Sequence, residues 1–214
     1  MSTDRAHWQH VYEERNPSQV SWYEPRPEAS LSLIEAADLP RNAAILDVGG
    51  GASRLAGELL KAGYRDVTVV DFSGAALEAA RAKIDEPERV DWIEADIRTH
   101  DFARKYDLWH DRAVFHFMVE AVDRDAYLGV LSRTLRPGGH LILATFGPEG
   151  PTSCSGLPVQ RYGTDELAET LGDEFELLRS EIRLHPTPSG SFQQFLYAGF
   201  RSREPAPIAP SPAS

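Results

Sequence analysis

Short apolar runs alternate with amphipathic segments from residue 43 onward, and this alternation predicts repeated strand–helix units. The runs that predict five parallel strands are residues 43–48, 67–70, 90–95, 106–109 and 140–146. Between them, apolar residues recur at helical spacing, for example at positions 52, 55, 56, 59 and 60. The pattern therefore predicts an α/β fold with helices on both faces of a sheet.

The last part of the chain departs from the alternation. Residues 175–184 and 191–200 predict two strands that are joined by a turn containing Pro188, Ser189 and Gly190. Consecutive strands without a crossover helix between them pair antiparallel. We therefore expect a seven-stranded, mostly parallel, Rossmann-like sheet that ends in a C-terminal antiparallel hairpin.

Three regions differ in composition. Residues 1–40 carry two segments with helical spacing and predict a helical N-terminal cap. Residues 41–202 hold the strand–helix units and predict the main domain. Residues 203–214 contain four prolines among Ala and Ser, which predicts a disordered tail.

Charge and cysteine content exclude several classes of function. Lys and Arg total 22 against 33 Asp and Glu, so the net charge is −11. This argues against nucleic acid and anionic membrane surfaces as partners, because both require a basic footprint. The lone Cys154 excludes an internal disulfide, a Cys-rich zinc site and an iron–sulfur cluster, and we expect no metal. No apolar segment resembles a signal peptide or membrane anchor, so we expect a cytoplasmic protein.

A glycine-rich loop follows the first predicted strand, with the sequence Asp47-Val48-Gly49-Gly50-Gly51-Ala52-Ser53. Glycines at this place let the backbone approach a ligand at the start of a helix. Arg54 stands where the dinucleotide fingerprint requires a third glycine, which argues against NAD and FAD. No Lys-Ser or Lys-Thr pair closes the loop, which excludes the phosphate-binding loop of nucleotide hydrolases.

Two acidic residues end the next two predicted strands. Asp71 lies 20 residues beyond Gly51, where a carboxylate can accept hydrogen bonds from ribose hydroxyls. Asp96 ends the third strand, and Asp47 adds a third acid in the loop. Three acids suit an adenosine ligand that carries a cationic amino acid rather than phosphates. This combination favours S-adenosylmethionine.

The motifs ILDVGGGASRL, VTVVDFS, WIEADI, YDLWHDRAVFHF and LRPGGHLILATF resemble those of the class I S-adenosylmethionine-dependent methyltransferases, over roughly residues 8–200. The resemblance implies that the glycine loop, with Asp47, Gly49, Gly51 and Ser53, contacts the methionine part of the cofactor. It implies that Asp71, with Phe72 beside it, holds the ribose. It further implies that Asp96 and Ile97 contact the adenine.

Ser53 replaces the family's usual final glycine and resembles the variant loop of the methyltransferase-like protein-lysine methyltransferases. The segments SWYEP and GYRDVTVVDFS also resemble that branch. Trp22 and Tyr23 are accordingly predicted as an aromatic lid over the methionine end, where a sulfonium favours π-faces. Packing of the two rings in the core is the alternative.

The candidates for acceptor chemistry follow the fourth strand. His110 and Asp111 are predicted catalytic residues, because the carboxyl end of such a strand faces the ligand crevice. His116 is predicted to bind substrate, although it also fits a core position among aromatic residues. Residues 147–163 interrupt the alternation and predict a substrate loop, with Arg161 and Tyr162 as its binding residues.

Three functions compete at this point. The first is methyl transfer to an O, S or N atom of a small molecule, which the LRPGG entry to the fifth strand favours. The second is protein-lysine methylation, which the Ser53 loop and the acidic charge favour and the segment Asp111-Arg112-Ala113-Val114 disfavours. The third is a non-enzymatic S-adenosylmethionine sensor. The sequence carries no signal for the oligomeric state.

Overall fold

A central sheet organises the protein in the computed structural model, which describes residues 2–14 and 19–204. The described residues form nine strands: β1 (Ala44–Val48), β2 (Asp66–Asp71), β3 (Val90–Glu94), β4 (Tyr106–Arg112), β5 (Leu135–Phe146), β6 (Ser153–Cys154), β7 (Leu157–Pro158), β8 (Phe175–Pro186) and β9 (Phe192–Ser202). They also form six α-helices: α1 (Ser2–Glu14), α2 (Glu28–Ala36), α3 (Leu55–Lys61), α4 (Gly74–Arg81), α5 (Ala121–Thr134) and α6 (Thr164–Leu171).

Seven strands form the sheet in the order β3-β2-β1-β4-β5-β9-β8. Strands β1 to β5 are parallel, and β9 pairs antiparallel with both β5 and β8. The predicted seven-stranded sheet with its C-terminal antiparallel hairpin is therefore confirmed. In β1 all five residues are buried, as expected for a strand covered on both faces.

Two hydrophobic clusters pack on opposite faces of the sheet. Leu46 and Val48 of β1 belong to one cluster with residues of α5 and α6, and Ile45 belongs to the other with residues of α2, α3 and α4. Alternate side chains of a strand point to opposite faces, so a single strand contributes to both clusters. The helices thus cover both faces, as the sequence pattern predicts.

The boundaries differ from the predicted ones at two places. Helix α3 begins at Leu55 rather than at residue 52, because the glycine turn extends further. Strand β5 begins at Leu135 rather than at residue 140. Its register against β4 shifts between Leu135 and His140, and Gly138 has a φ of +73°, so the Pro-Gly-Gly sequence forms a bulge inside the strand.

The segment predicted as a substrate loop contains a separate hairpin in which β6 pairs antiparallel with β7. The amide of Tyr162 donates a hydrogen bond of 3.0 Å to the carbonyl of Phe146, which closes the base of this loop. Most of the predicted tail, 205–214, lies outside the described residues. The division into a cap (1–40), a main domain (41–202) and a tail (203–214) stays a prediction.

Candidate active site

The main cavity has a volume of about 280 Å³ and lies at the carboxyl ends of β1, β2, β3 and β4. Residues of α1, of the segment 19–27 and of the β6–β7 hairpin complete its walls. The edge beyond the carboxyl ends of parallel strands is where open α/β sheets bind their ligands. A smaller cavity of about 50 Å³ lies behind the glycine loop.

The glycine loop is shaped by close backbone approach. Gly51 has a φ of +22°, and a Cβ built on it would stand 2.7 Å from Asp71 Oδ2. A Cβ on Gly50 would stand 2.5 Å from Asp47 Oδ2. Side chains at these positions would therefore collide with the two carboxylates under the loop. Ser53 does not line the main cavity. Its Oγ instead accepts a hydrogen bond of 3.1 Å from the amide of Leu55 at the start of α3.

Asp71 lies at the end of β2 with its carboxylate toward the main cavity. Its Oδ1 accepts a hydrogen bond of 2.9 Å from the amide of Ser73, and Phe72 lines the cavity beside it. Burial raises the pKa of Asp71 to about 7, although hydrogen bonds from the Ser73 and Gly51 amides oppose the shift. Bound ribose hydroxyls would donate to this carboxylate.

Asp96 and Ile97 line the same cavity beyond β3, as predicted from the sequence. Arg98 binds both oxygens of Asp96, with its Nη2 2.7 Å from Oδ2 and its Nε 3.0 Å from Oδ1, and Nη1 reaches Asp123 at 2.9 Å. Burial raises the pKa of Asp96, but the hydrogen bonds from Arg98 outweigh this effect and hold it below its usual value. Arg98 was not singled out from the sequence.

These residues fit S-adenosylmethionine. The glycine loop approaches Asp47 and Asp71 so closely that Cβ atoms on Gly50 and Gly51 would strike them, and Asp71 lines the cavity where a ribose is predicted to bind. The two arginines that line the main cavity, Arg98 and Arg112, are both engaged with carboxylates. A pyrophosphate would therefore lack a cationic partner, whereas a sulfonium and an ammonium group would face acids and aromatic rings.

Aromatic residues from distant parts of the chain form the far end of the cavity. Trp8 packs against Trp22 with ring centroids 5.4 Å apart and against Phe117 at 5.3 Å. The Tyr12 ring lies 6.3 Å from that of Trp22, and its hydroxyl is beside Gly51. We call Trp8, Trp22, Phe117, Met118, Leu157 and Pro158 the acceptor end.

The predicted aromatic pair separates in the structure. Trp22 lines both cavities, whereas Tyr23 lines only the smaller one among the described pockets. Sequence reasoning did not single out Trp8, Tyr12, Arg112 or Phe117 as site residues. Trp8 and Tyr12 are four residues apart on α1, and this spacing was the one signal that they share a helix face.

Helix α1 is fastened over the cofactor end of the cavity. The Gln9 side-chain oxygen accepts hydrogen bonds from Ser73 Oγ at 3.0 Å and from the Ala75 amide at 3.3 Å. Ser73 also caps α4, since its Oγ accepts a hydrogen bond from the amide of Ala76. The first helix is thereby tied to the start of the helix that follows Asp71.

Arg112 at the end of β4 clamps the segment 19–27 to the sheet. Its Nη1 donates to the Trp22 carbonyl at 2.9 Å, its Nε to Tyr197 Oη at 2.9 Å, and its Nη2 lies 3.1 Å from Glu24 Oε1. His185 lies 3.6 Å from the same carboxylate. Burial raises the pKa of Glu24, but His185 and Arg112 outweigh this and keep the carboxylate charged. The clamp fixes Trp22 at the acceptor end.

His110 lies behind the glycine loop and faces the smaller cavity. Its Nδ1 is 2.7 Å from Asp47 Oδ1 and its Nε2 is 2.8 Å from Ser30 Oγ. The order Ser-His-Asp matches that of hydrolase triads, but Ser30 has no exposed surface and no substrate can reach it. These hydrogen bonds link α2, β4 and β1 beneath the loop, and the catalytic role of His110 stays a prediction.

Asp111 points to the opposite face of the sheet. Its carboxylate accepts hydrogen bonds from the amides of Val114 and Phe115 and from Tyr127 Oη at 2.6 Å, and Trp109 donates to that same hydroxyl. Burial raises the pKa of Asp111 to about 6. The carboxylate holds the turn that carries Val114 and Phe117 into the cavity, and it does not itself line the cavity.

The three predicted substrate residues lie outside the main cavity. His116 is buried behind Phe117, its Nδ1 accepts from the Phe146 amide at 3.2 Å, and burial lowers its pKa to about 3. Tyr162 stacks on Phe115, and burial raises its pKa to about 12. Arg161 donates to the Gly150 carbonyl at 3.3 Å within the loop. The structure does not bring them together, and their roles stay predictions.

Comparison with known proteins identifies a methyltransferase domain in the chain. Residues 45–139 match the family model described as a methyltransferase domain. The resemblance to the class I S-adenosylmethionine-dependent methyltransferases is thereby confirmed. It is 30% identical over 173 residues to EEF1A lysine methyltransferase 2 of Danio rerio, which covers 76% of this chain and 65% of that protein. It is 28% identical over 149 residues to Nodulation protein S of Rhizobium tropici, which covers 70% and 58%.

The chain thus spans between 58% and 65% of the length of these two methyltransferase-related proteins. Among solved structures it resembles the 1,6-didemethyltoxoflavin-N1-methyltransferase of Burkholderia thailandensis, which was solved with S-adenosylhomocysteine. That likeness has a TM-score of 0.70 at 21% identity and covers 95% of this chain and 88% of the other, which shows a shared methyltransferase fold. No helix in the described part of this chain has the length and apolar character required to cross a bilayer.

Proposed function

We propose that this methyltransferase-family protein transfers a methyl group from S-adenosylmethionine to an O, S or N nucleophile of a small molecule in the cytoplasm. The observation that carries the proposal is that one cavity runs from the glycine loop and Asp71 to the aromatic acceptor end. Helix α1 and the β6–β7 hairpin wall this cavity. An acceptor must enter between these walls, which favours a compact molecule over a folded protein surface.

In this proposal the protein's own residues bind the cofactor, orient the acceptor and exclude water from the site. When bound, S-adenosylmethionine supplies an electrophilic methyl group, and displacement from a sulfonium demands mainly alignment and a dry site. The carboxylate of Asp71 would hold the ribose hydroxyls, and the rings of Trp8, Trp22 and Phe117 would keep water from the transfer site. His110 and Asp111, predicted as catalytic, would act through the glycine loop and the turn after β4 respectively.

Protein-lysine methylation is the second candidate. The similarity to EEF1A lysine methyltransferase 2 and the net charge of −11 both favour a basic protein as substrate. A lysine side chain is slender enough to reach the acceptor end alone. We rank this candidate second because α1 and the β6–β7 hairpin wall the cavity and restrict access for a folded protein.

The test is incubation of the protein with methyl-labelled S-adenosylmethionine and a cell extract, followed by separation of small molecules from proteins. Label in the small-molecule fraction is the expected result. Label in a discrete protein band would instead support the lysine candidate. Cofactor binding without label in either fraction would overturn both and favour a sensor. Arg81→Gln in α4 is the matched control for correct folding, because it removes an exposed pairing with Glu78 and a ring contact with Trp92, both away from the main cavity.

A further inference from the structure

No described residue offers an unpaired cation to an anionic acceptor at the acceptor end. Arg112 donates from Nε to Tyr197 and from Nη1 to Trp22, and its buried Nη2 lies 3.1 Å from the Glu24 carboxylate, which matches its charge. Arg98 at the cofactor end is held by Asp96 and Asp123. An acceptor carboxylate, phosphate or thiolate would therefore enter a partly apolar cavity without a counter-ion, at a substantial desolvation cost.

The described residues of the acceptor end also include no base suited to an alcohol or phenol. Among the carboxylates of the main cavity, Asp71 lies at the cofactor end and Glu120 is exposed at the rim, whereas Asp96 and Asp123 are paired with Arg98. His110 and His116 do not line this cavity. Tyr12 and Cys154 do, but burial raises the pKa of both groups, that of Cys154 to about 12, so each is neutral. A hydroxyl acceptor has to lose its proton as it attacks, whereas a neutral amine attacks with its own lone pair.

Two features of the cavity favour an acceptor that is positively charged when it binds and loses a proton before or after transfer. Glu120 lines the cavity just before α5 begins, and Asp96 and Asp123 set two carboxylates against the one guanidinium of Arg98. The rings of Trp8, Trp22 and Phe117 supply π-faces, which attract an ammonium group. Acids and aromatic rings together raise the local concentration of a cationic amine over that of a neutral alcohol.

We propose, on the basis of the proposed function, that the methyl acceptor is an amine attached to an aromatic or otherwise apolar group. The amine loses one proton to water before transfer, its nitrogen lone pair forms the new N–C bond, and the electrons of the broken S–C bond stay on sulfur. If the attacking nitrogen still carries hydrogen, the product releases one further proton. A small-molecule amine and a protein lysine share this chemistry.

The experiment compares three probes that differ only in their polar group: phenethylamine, phenethyl alcohol and hydrocinnamate. Titration calorimetry measures their binding to the full chain loaded with S-adenosylhomocysteine. We expect the amine to bind at least about 10-fold more tightly than the acid and about 3-fold more tightly than the alcohol. Equal or tighter binding of the acid or alcohol, or no binding of any probe to the loaded protein, would overturn the proposal.

Failure of the proposed function has a different signature. It is the absence of S-adenosylhomocysteine binding in the loading step, before any probe is added. If the protein supplied with S-adenosylmethionine methylates the alcohol or the acid instead of the amine, methyl transfer stands and the amine proposal is wrong.

Two variants sharpen the result. Glu120→Lys should reduce the preference for the amine over the acid by about 5-fold, because it reverses a charge at the cavity rim. Asp125→Lys is the matched control, since Asp125 is an exposed residue on the same helix that does not line the cavity. An equal change in both variants would point to net charge rather than to the cavity rim and would count against the proposal.

Discussion

The two ends of the main cavity are built in different ways. The cofactor end comes from the loops that directly follow β1, β2 and β3, so Asp71 and the glycines lie within a few residues of the strands that position them. The acceptor end combines α1, the segment 19–27, the turn after β4 and the β6–β7 hairpin. Its parts are held by long-range bonds, such as the one between Arg112 and Trp22, 90 residues apart. We therefore expect local changes to disable cofactor binding and long-range changes to loosen the acceptor end.

The largest effect is expected at the cofactor end. Gly51→Val adds a branched side chain at a φ of +22°, where a Cβ would already stand 2.7 Å from Asp71 Oδ2. Backbone strain and overpacking together cost about 2–5 kcal/mol, so affinity for S-adenosylhomocysteine should fall by roughly 30-fold or more. Calorimetry measures this loss. Gly129→Ala in α5 is the control, since its Cβ would meet only a side chain at 3.7 Å; an equal loss there would remove the local explanation.

Asp71→Asn tests the carboxylate itself. The amide keeps the size but loses the charge, and charge-assisted hydrogen bonds contribute about 1–3 kcal/mol, so cofactor affinity should fall between about 5-fold and 150-fold. Acceptor probes should lose affinity only because less of the protein holds the cofactor. Retained affinity in this variant would exclude Asp71 from the ribose position.

The pH dependence of cofactor affinity tests the same carboxylate without a mutation. The pKa of Asp71 is raised to about 7 in the folded protein, and the ionised form is the one that accepts ribose hydrogen bonds. Affinity should therefore fall about 10-fold between pH 8 and pH 6. The folded state also binds this proton more tightly than the unfolded state does, so the Asp71 contribution to stability declines as pH rises from about 4 to 7. Asp71→Asn should flatten both profiles, and an unchanged slope would contradict the assignment.

Glu24→Gln should weaken acceptor binding more than cofactor binding, which is the reverse of the effect expected for Asp71→Asn. Removal of the charge leaves Arg112 with a weaker partner in a largely buried place, which costs about 1–3 kcal/mol of unfolding free energy. Trp22 loses its firm support, so the affinity for acceptor probes should fall several-fold while that for S-adenosylhomocysteine stays within about 2-fold. Glu28→Gln, an exposed partner of Arg26, should change neither affinity. Equal losses for cofactor and acceptor would show that the two ends are not separable.

The smallest effect is expected for Ser30→Ala. The mutation removes one buried hydrogen bond to His110 and should lower the free energy of unfolding by about 0.5–1.5 kcal/mol. Methyl transfer, followed with labelled cofactor, should persist at a rate within about 2-fold of that of the unchanged protein. Thr170→Ala, which loses a bond to a helical carbonyl, is the stability control. A large loss of turnover at unchanged stability would make His110 part of the chemistry.

The sequence predicts the cofactor end better than the acceptor end for a physical reason. Strand period, glycine spacing and the acids at strand ends are local signals, and they place Asp71, Asp96 and the loop correctly in space. Whether His110 or Asp111 faces the cavity depends on how β4 lies between β1 and β5, and both turn out to have internal partners. The packing of Trp8 against Phe117 joins residues 109 positions apart, which no periodicity encodes.

The hydrogen bond between Tyr162 and Phe146 has a consequence for how such a chain diversifies. It brings the two ends of the intervening loop together, and β6 and β7 pair only with each other among the described strands. Exchange of the β6–β7 hairpin sequence should leave the register of the seven-stranded sheet unchanged, because Gly147 and Glu149, which bond Gln194 of β9, lie outside that hairpin. Replacement of this hairpin during evolution can therefore change acceptor specificity while the cofactor site is kept.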